Sequence, residues 1–275
     1  MYYMQPPMML YEPKELRVLL LSDIHSHGAN FNKLAEWLKA FKPNYDMVFV
    51  LGNISNMLNN LRNNPIAENQ ATEQLVSTFK FLKDYINNPI VYIPGNTEPT
   101  AIYSYALELP EAMNLHKRAM QIDDNLILIG LGGSLPAKKE EKDILEGYPY
   151  EKAEDYGKDL ASCMDAAEKT FGPNVSYLLL THIGPAESTT TEVYLNNDTV
   201  NGGFKEFAAI LKEKNIVGHV HGHSVAGEGL SKPFGPSKPV INPGGFVNGR
   251  FGELSLRRDV TGKWKVADVQ FRSLD

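Results

Sequence analysis

Apolar residues in this chain fall into short aliphatic runs, separated by longer stretches in which they recur every three or four positions. Residues 17–21 (RVLLL), 46–51 (DMVFVL) and 89–93 (PIVYI) are near-continuous apolar runs, as expected for strands buried on both faces. Between them, residues 32–41 carry Leu34, Trp37, Leu38 and Phe41 at helical spacing. Residues 73–86 repeat the pattern with Leu75, Phe79, Leu82 and Ile86. Strand–helix–strand alternation of this kind predicts parallel β-α-β units with helices over both faces. The second half adds strands at 120–122, 126–131 and 176–180 and helices at 156–171 and 204–213. Residues 216–217 and 239–241 are short strand-like pieces, and 253–257 with 264–271 form a terminal hairpin about Thr261-Gly262. The charged, proline-bounded stretch 136–150 and the Gly-, Ser- and Pro-rich stretch 222–238 read as loops.

Composition then narrows the class. A hydrophobic fraction of 43% with 22% charged residues suits a globular protein with a sizeable core. Nothing splits residues 16–275, which read as one domain preceded by an extended arm, residues 1–15. That arm, rich in Met, Tyr and Pro, is expected to pack on the domain or to meet a protein partner. A net charge of −6 provides no basic field, so neither nucleic acid nor an acidic membrane is favoured as a partner. Cys163 is the only cysteine, which excludes an intrachain disulfide and suits a reducing compartment. No apolar run reaches the roughly 18 residues of a membrane span, and the start lacks the pattern of a secretory signal. The expectation is a soluble cytoplasmic protein.

Polar clusters interrupt the pattern just after the predicted strands: Asp23-Ile24-His25, Gly52-Asn53, Gly95-Asn96-Thr97-Glu98, His182, and Gly218-His219-Val220-His221. Ligands of open α/β sheets bind outside the carboxyl ends of the strands, so all five clusters can face one rim. An alternating D-x-H or H-x-H sends two side chains to the same side of an extended segment, and imidazoles gathered there could hold a metal. No G-x-S-x-G elbow is present, which argues against a serine hydrolase. His116 reads as an ordinary core or surface residue.

In this order the clusters resemble the D-x-H, G-D, G-N-H-D/E, H, G-H-x-H signature of the calcineurin-like metallophosphoesterases, from residue 17 onward. Gly132-Gly133-Ser134 and Asn242-Pro243-Gly244 add to the likeness. The resemblance implies a four-layer α/β/β/α sandwich of two mixed sheets. It also implies hydrolysis of phosphate mono- or diesters with two divalent metals drawn from Mn, Fe and Zn. Carried over by motif, Asp23, His25 and His221 are implied ligands of the first metal, and Asn96, His182 and His219 of the second. Asn53 stands where the family has a bridging aspartate, and Thr97 where it has a histidine near the leaving group. Glu98 keeps the acidic position that follows.

Both departures have physical consequences. Two cations roughly 3.5–4 Å apart repel, and a neutral amide at Asn53 contributes no charge to offset that. The expected outcome is one held metal at Asp23, His25 and His221, with the second site weak or empty. Loss of an acid–base group at 97 costs roughly 10²–10⁴-fold in rate; His27 and His223 are the expected substitutes, and Glu98 is also assigned to catalysis. Two functions follow. One is an attenuated or single-metal phosphoesterase acting on a small phosphoester or a phosphoprotein. The other is a catalytically inactive binding or scaffold subunit. Retention of the histidines favours the first.

Overall fold

The computed structural model describes residues 12, 14–139, 142–145, 147–195 and 198–275. In its first half β1 (Lys14–Leu21), α1 (Gly28–Phe41), β2 (Met47–Val50), α2 (Pro65–Tyr85), β3 (Ile90–Tyr92), α3 (Thr100–Tyr103) and β4 (Met113–Asn114) follow one another. Next come β5 (Arg118–Asp123), β6 (Leu126–Leu131), the ribbon β7 (Ala137–Lys139) and β8 (Lys142–Leu145), and α4 (Ala153–Phe171). Then follow β9 (Ser176–Thr181), the ribbon β10 (Glu192–Leu195) and β11 (Asp198–Asn201), α5 (Phe207–Glu213) and β12 (Ile216–His221). The chain closes with β13 (Gly229–Ser231), β14 (Val240–Asn242), β15 (Arg250–Arg258) and β16 (Trp264–Ser273).

Two six-stranded sheets result, ordered β16-β15-β1-β2-β3-β4 and β13-β14-β12-β9-β6-β5. Both are mixed. In the first, β1 to β4 run parallel while β15 pairs antiparallel with β1 and β16 with β15. In the second, β6, β9, β12 and β14 are parallel, flanked by antiparallel β5 and β13.

Strand alternation explains why the apolar runs are continuous. Val18 and Leu20 of β1 join Phe49, Leu128, Leu178, Val220 and Trp264 between the sheets. Leu19 and Leu21 face the other way, onto Leu34 and Leu38 of α1 and Leu75 and Phe79 of α2. Ile129 and Leu179 do the same on the second sheet, against Tyr156 and Leu160 of α4 and Phe207 of α5. Each sheet is therefore apolar on both faces, and the layers stack α/β/β/α. Burying one such side chain contributes about 1.5–3 kcal/mol. Helix α2 starts where Asn64 accepts from the Ile66 and Ala67 N–H groups with Pro65 at the first helical position.

Some expectations change. Residues 216–217 extend into a six-residue strand that includes His219 and His221, so neither histidine lies beyond a strand end. The stretch 136–150 carries a small ribbon, and 222–238 contains β13. Helix α5 starts at Phe207, three residues later than its pattern suggests. Of the expected arm, residues 1–11 and 13 lie outside the described residues, while Lys14 and Glu15 already belong to β1, opposite Arg258 and Arg257. No helix among the described residues is long and apolar enough to cross a membrane.

Candidate functional site

Where β1 and β2 end, the chain turns sharply in both strands and the two turns bond to each other. Asp23, His25 and Ser26 take φ values of 51°, 48° and 53°, and Asn53 takes 52°. Non-glycine residues in this left-handed region carry strain, and such strain clusters at functional sites. The Asp23, His25 and Ser26 N–H groups donate to the carbonyls of Gly52 (3.0 Å), Asn53 (2.9 Å) and Ile54 (3.0 Å). Gly52, at φ 91°, also lets the third loop close in: a Cβ there would stand 2.5 Å from the Gly95 nitrogen and 2.6 Å from His182 Nδ1.

Asp23 is fully buried and its carboxylate accepts three hydrogen bonds. Its Oδ2 accepts from Ser22 Oγ at 2.6 Å and from the His223 N–H at 2.9 Å, and its Oδ1 accepts from Asn53 Nδ2 at 3.1 Å. The other end of the Asn53 amide, Oδ1, accepts from the Asn96 N–H at 2.8 Å and from Thr97 Oγ1 at 3.2 Å. Thr97 Oγ1 also lies 2.8 Å from the Ser55 carbonyl.

Three side chains converge beside this hub. His182 Nδ1 sits 2.7 Å from the Leu51 carbonyl, which can only accept, so Nδ1 carries the proton and Nε2 the lone pair. That Nε2 lies 3.2 Å from Asn96 Oδ1 and 3.2 Å from His223 Nδ1. Burial lowers the pKa values of His182 and His223 to about 3, which leaves both imidazoles neutral. The other ring nitrogen of His223, Nε2, is buried without a hydrogen-bond partner.

His219 and His221 do not join this group, contrary to their assignment as metal ligands. His219 Nε2 lies 2.5 Å from Thr181 Oγ1, and its ring packs 4.6 Å from that of Phe207. His221 places Nε2 2.7 Å from Thr190 Oγ1 and Nδ1 3.0 Å from the Gly222 carbonyl. Strand alternation is the reason. Val220 fills the inter-sheet core, so its two neighbours point to the opposite face, toward α5. The cleft position falls to His223, just past the strand at φ 66°. Read from the structure, the G-H-x-H motif is Gly222-His223-Ser224-Val225, with valine in its last place. Asn242 pins that loop by donating Nδ2 to the carbonyls of Thr190 (3.0 Å) and Ser224 (2.9 Å).

The remaining expected residues separate. His25 is half-buried at the rim, its Nδ1 3.1 Å from Asn56 Oδ1. His27 is exposed at the start of α1. Glu98, expected in catalysis, is fully buried and turned into the backbone. Its Oε1 accepts from the Ile54 N–H at 2.5 Å and the Ser55 N–H at 3.4 Å, and its Oε2 from the Gly95 N–H at 2.5 Å. Burial pushes its pKa up, against the pull of those three bonds. It ties two loops together and presents no free oxygen to a substrate. Arg62 carries no motif signal, yet it holds the third loop from behind. It donates to the carbonyls of Asn96 (2.5 Å) and Glu98 (2.8 Å) while stacking 3.2 Å over the Tyr148 ring.

A two-metal centre does not fit these residues. Among the described residues no three His, Cys, Asp or Glu side chains are grouped as a metal site. Asp23 is occupied by three donors and His221 points elsewhere. Asn96 Oδ1, His182 Nε2 and His223 Nδ1 offer one amide oxygen and two imidazole nitrogens, an uncharged set that fits a single divalent cation.

Residues 16–237 match the family model for calcineurin-like phosphoesterases. No curated protein matches the chain. Among solved structures, TT1561 of Thermus thermophilus is 15% identical with a TM-score of 0.61, covering 95% of this chain and 100% of its own. Phosphopantetheinyl hydrolase (PptH) of Mycobacterium tuberculosis is 13% identical, with a TM-score of 0.57 over 84% of this chain and 90% of its own. A 5'-nucleotidase described from Staphylococcus aureus is 13% identical at a TM-score of 0.56, with 95% of this chain matching 54% of that one. At these identities the likeness is one of fold.

Proposed function

Since this chain belongs to the calcineurin-like phosphoesterase family, we propose that it binds phosphate esters in the Asn96–His182–His223 cleft, around a single divalent cation, and hydrolyses them weakly. The observation that carries this reading is Asn53. Its amide donates to Asp23 and so occupies, with a neutral hydrogen bond, the place where a bridging carboxylate would draw in a second ion. The chemistry such a cation supplies when bound is polarisation of a phosphoryl oxygen and acidification of water.

The protein's own groups define the rest. Asn96, His182 and His223 orient the ligand, and neutral imidazoles leave their lone pairs available. His223 Nε2, lacking a partner, is the group left to donate to a phosphoryl or leaving-group oxygen when Nδ1 faces the cation. Thr97 Oγ1 is engaged with Ser55 and Asn53 and is no proton donor near neutral pH, so the leaving oxygen departs without a strong acid. The substrate classes proposed are small phosphoesters and phosphoproteins.

Metal content per chain and turnover of bis-p-nitrophenyl and p-nitrophenyl phosphate, measured after incubation with Mn²⁺ or Zn²⁺, test this. The expected result is one ion per chain with slow turnover, both lost in His223→Ala and both kept in His221→Ala. A wild-type protein that takes up neither ion and turns over neither ester would instead be a non-catalytic binding member of the family. The replacements at Asn53, Thr97 and Val225 favour that second reading.

A further inference from the structure

Each carbonyl of the third loop, residues 95–98, is held by a group from outside it. The Gly95 carbonyl accepts from Tyr103 Oη, the Asn96 carbonyl from Arg62 Nη2 at 2.5 Å and the Glu98 carbonyl from Arg62 Nη1 at 2.8 Å. The Thr97 carbonyl accepts the Met57 N–H at 3.1 Å and Ser55 Oγ at 2.5 Å. Arg62 also donates Nε to Asn59 Oδ1 at 2.8 Å. A planar guanidinium bonded along its edges in this way is fixed further only through its faces.

One side chain meets both Arg62 and Tyr103. The Arg62 guanidinium carbon lies 3.2 Å from the centre of the Tyr148 ring, and the Tyr103 ring meets Tyr148 edge-on with centroids 5.0 Å apart. Tyr148 is fixed in turn: its carbonyl accepts the Ser134 N–H at 2.8 Å, and its hydroxyl lies 3.3 Å from Thr100 Oγ1. Asn96 is the ligand-facing member of the loop, with Oδ1 3.2 Å from His182 Nε2. Groups that hold a ligand from behind set its direction, and a loop carbonyl released to water would let that direction drift.

We propose that Tyr148 is a positioning residue for the cleft. Through Arg62 and Tyr103 it fixes the backbone of residues 95–98 and so aims Asn96 Oδ1 at the point it shares with His182 and His223. The ring does this, and the hydroxyl does not. The effect on ion affinity rests on the single-cation reading of the cleft, whereas the effect on the loop does not.

Tyr148→Leu, Tyr148→Phe and Arg62→Lys in the full chain test this. Amide exchange read by NMR follows the loop without any ligand, and calorimetry with Zn²⁺ follows the cleft. The Gly95 and Asn96 amides, bonded to Glu98 Oε2 and Asn53 Oδ1, should exchange about tenfold faster in Tyr148→Leu, while β6 and β9 keep the wild-type rate. Zn²⁺ binding should weaken about 10–100-fold in the same variant. Tyr148→Phe should match wild type in both readings. Arg62→Lys keeps the charge but loses the fork, so it should behave as Tyr148→Leu does. Unchanged loop exchange in Tyr148→Leu and Arg62→Lys would overturn the proposal, as would acceleration shared equally by β6 and β9. Exchange in Tyr148→Phe as fast as in Tyr148→Leu would overturn it in favour of the hydroxyl. Faster loop exchange in a protein whose wild type takes up no Zn²⁺ would uphold the positioning role and refute the single-cation reading instead.

Discussion

At position 53 the side-chain amide gives Nδ2 to Asp23 Oδ1 at 3.1 Å and takes the Asn96 N–H on Oδ1 at 2.8 Å. An aspartate there would set a second carboxylate against Asp23, a like-charge pair that needs a cation or a shared proton. Asn53→Asp alone should therefore lower the thermal midpoint without divalent metal and recover it with Mn²⁺, read by scanning fluorimetry. Combining Asn53→Asp with Thr97→His and Val225→His should raise bis-p-nitrophenyl phosphate turnover by about 10²–10⁴-fold, the worth of a placed acid–base group. If the triple variant folds, binds metal and remains as slow as wild type, the account of the attenuation is wrong. Glu98 is a structural case. Glu98→Gln must turn an N–H toward backbone donors, so about 1–3 kcal/mol of stability should be lost in urea titration.

At the scale of elements, β12 decides which histidines reach the cleft. Val220 faces the inter-sheet core, and a two-residue period then commits His219 and His221 to the helical side. His219→Ala or His221→Ala removes the imidazole bond of the Thr181 or Thr190 hydroxyl and empties a buried site, leaving those hydroxyls only the Ile183 carbonyl or Ser188 Oγ. Either should cost about 1–3 kcal/mol while ion uptake stays unchanged, whereas His223→Ala should abolish uptake with little loss of stability. Equal loss of uptake in all three variants would refute this division. The loops depend equally on close approach. A Cβ at Gly95 would stand 2.2 Å from Asn53 Oδ1, so Gly95→Ala should misplace Asn96 and weaken ion binding, measurable by calorimetry.

For the whole molecule, buried histidines set the response to acid. His116 accepts the Gly132 N–H on Nδ1 at 3.0 Å, and burial lowers its pKa to about 3. Burial also holds His219 well below its ordinary value. Both stay neutral in the fold, while the unfolded chain protonates them below about pH 6.5. The unfolded state then binds more protons, so stability is full above about pH 6.5 and falls as the pH drops toward 3. Glu98, with its raised pKa, works in the opposite direction but is a single group. The thermal midpoint should fall steeply between about pH 6.5 and 4.5. A flat profile would mean that the imidazoles reach water.

Much of this architecture is legible in the chain itself. The apolar runs and helical spacings locate β1, β2, β3, α1, α2, α4 and β9 to within a few residues, apart from the early start of α2 at Pro65, because burial on both faces imposes a pattern that local sequence carries. The motif order likewise places Asp23, Asn53, Asn96 and His182 at one rim, since each ends a strand of known direction. Tertiary structure alone settled the choice among His219, His221 and His223. Three imidazoles at alternate positions look equivalent in sequence, and only the point where β12 stops, with Val220 seated between the sheets, separates the cleft face from the helical face. It also showed that Glu98 and Arg62 hold loops, because their partners are backbone groups far apart in the chain and no side-chain motif records where a carbonyl or an N–H will point.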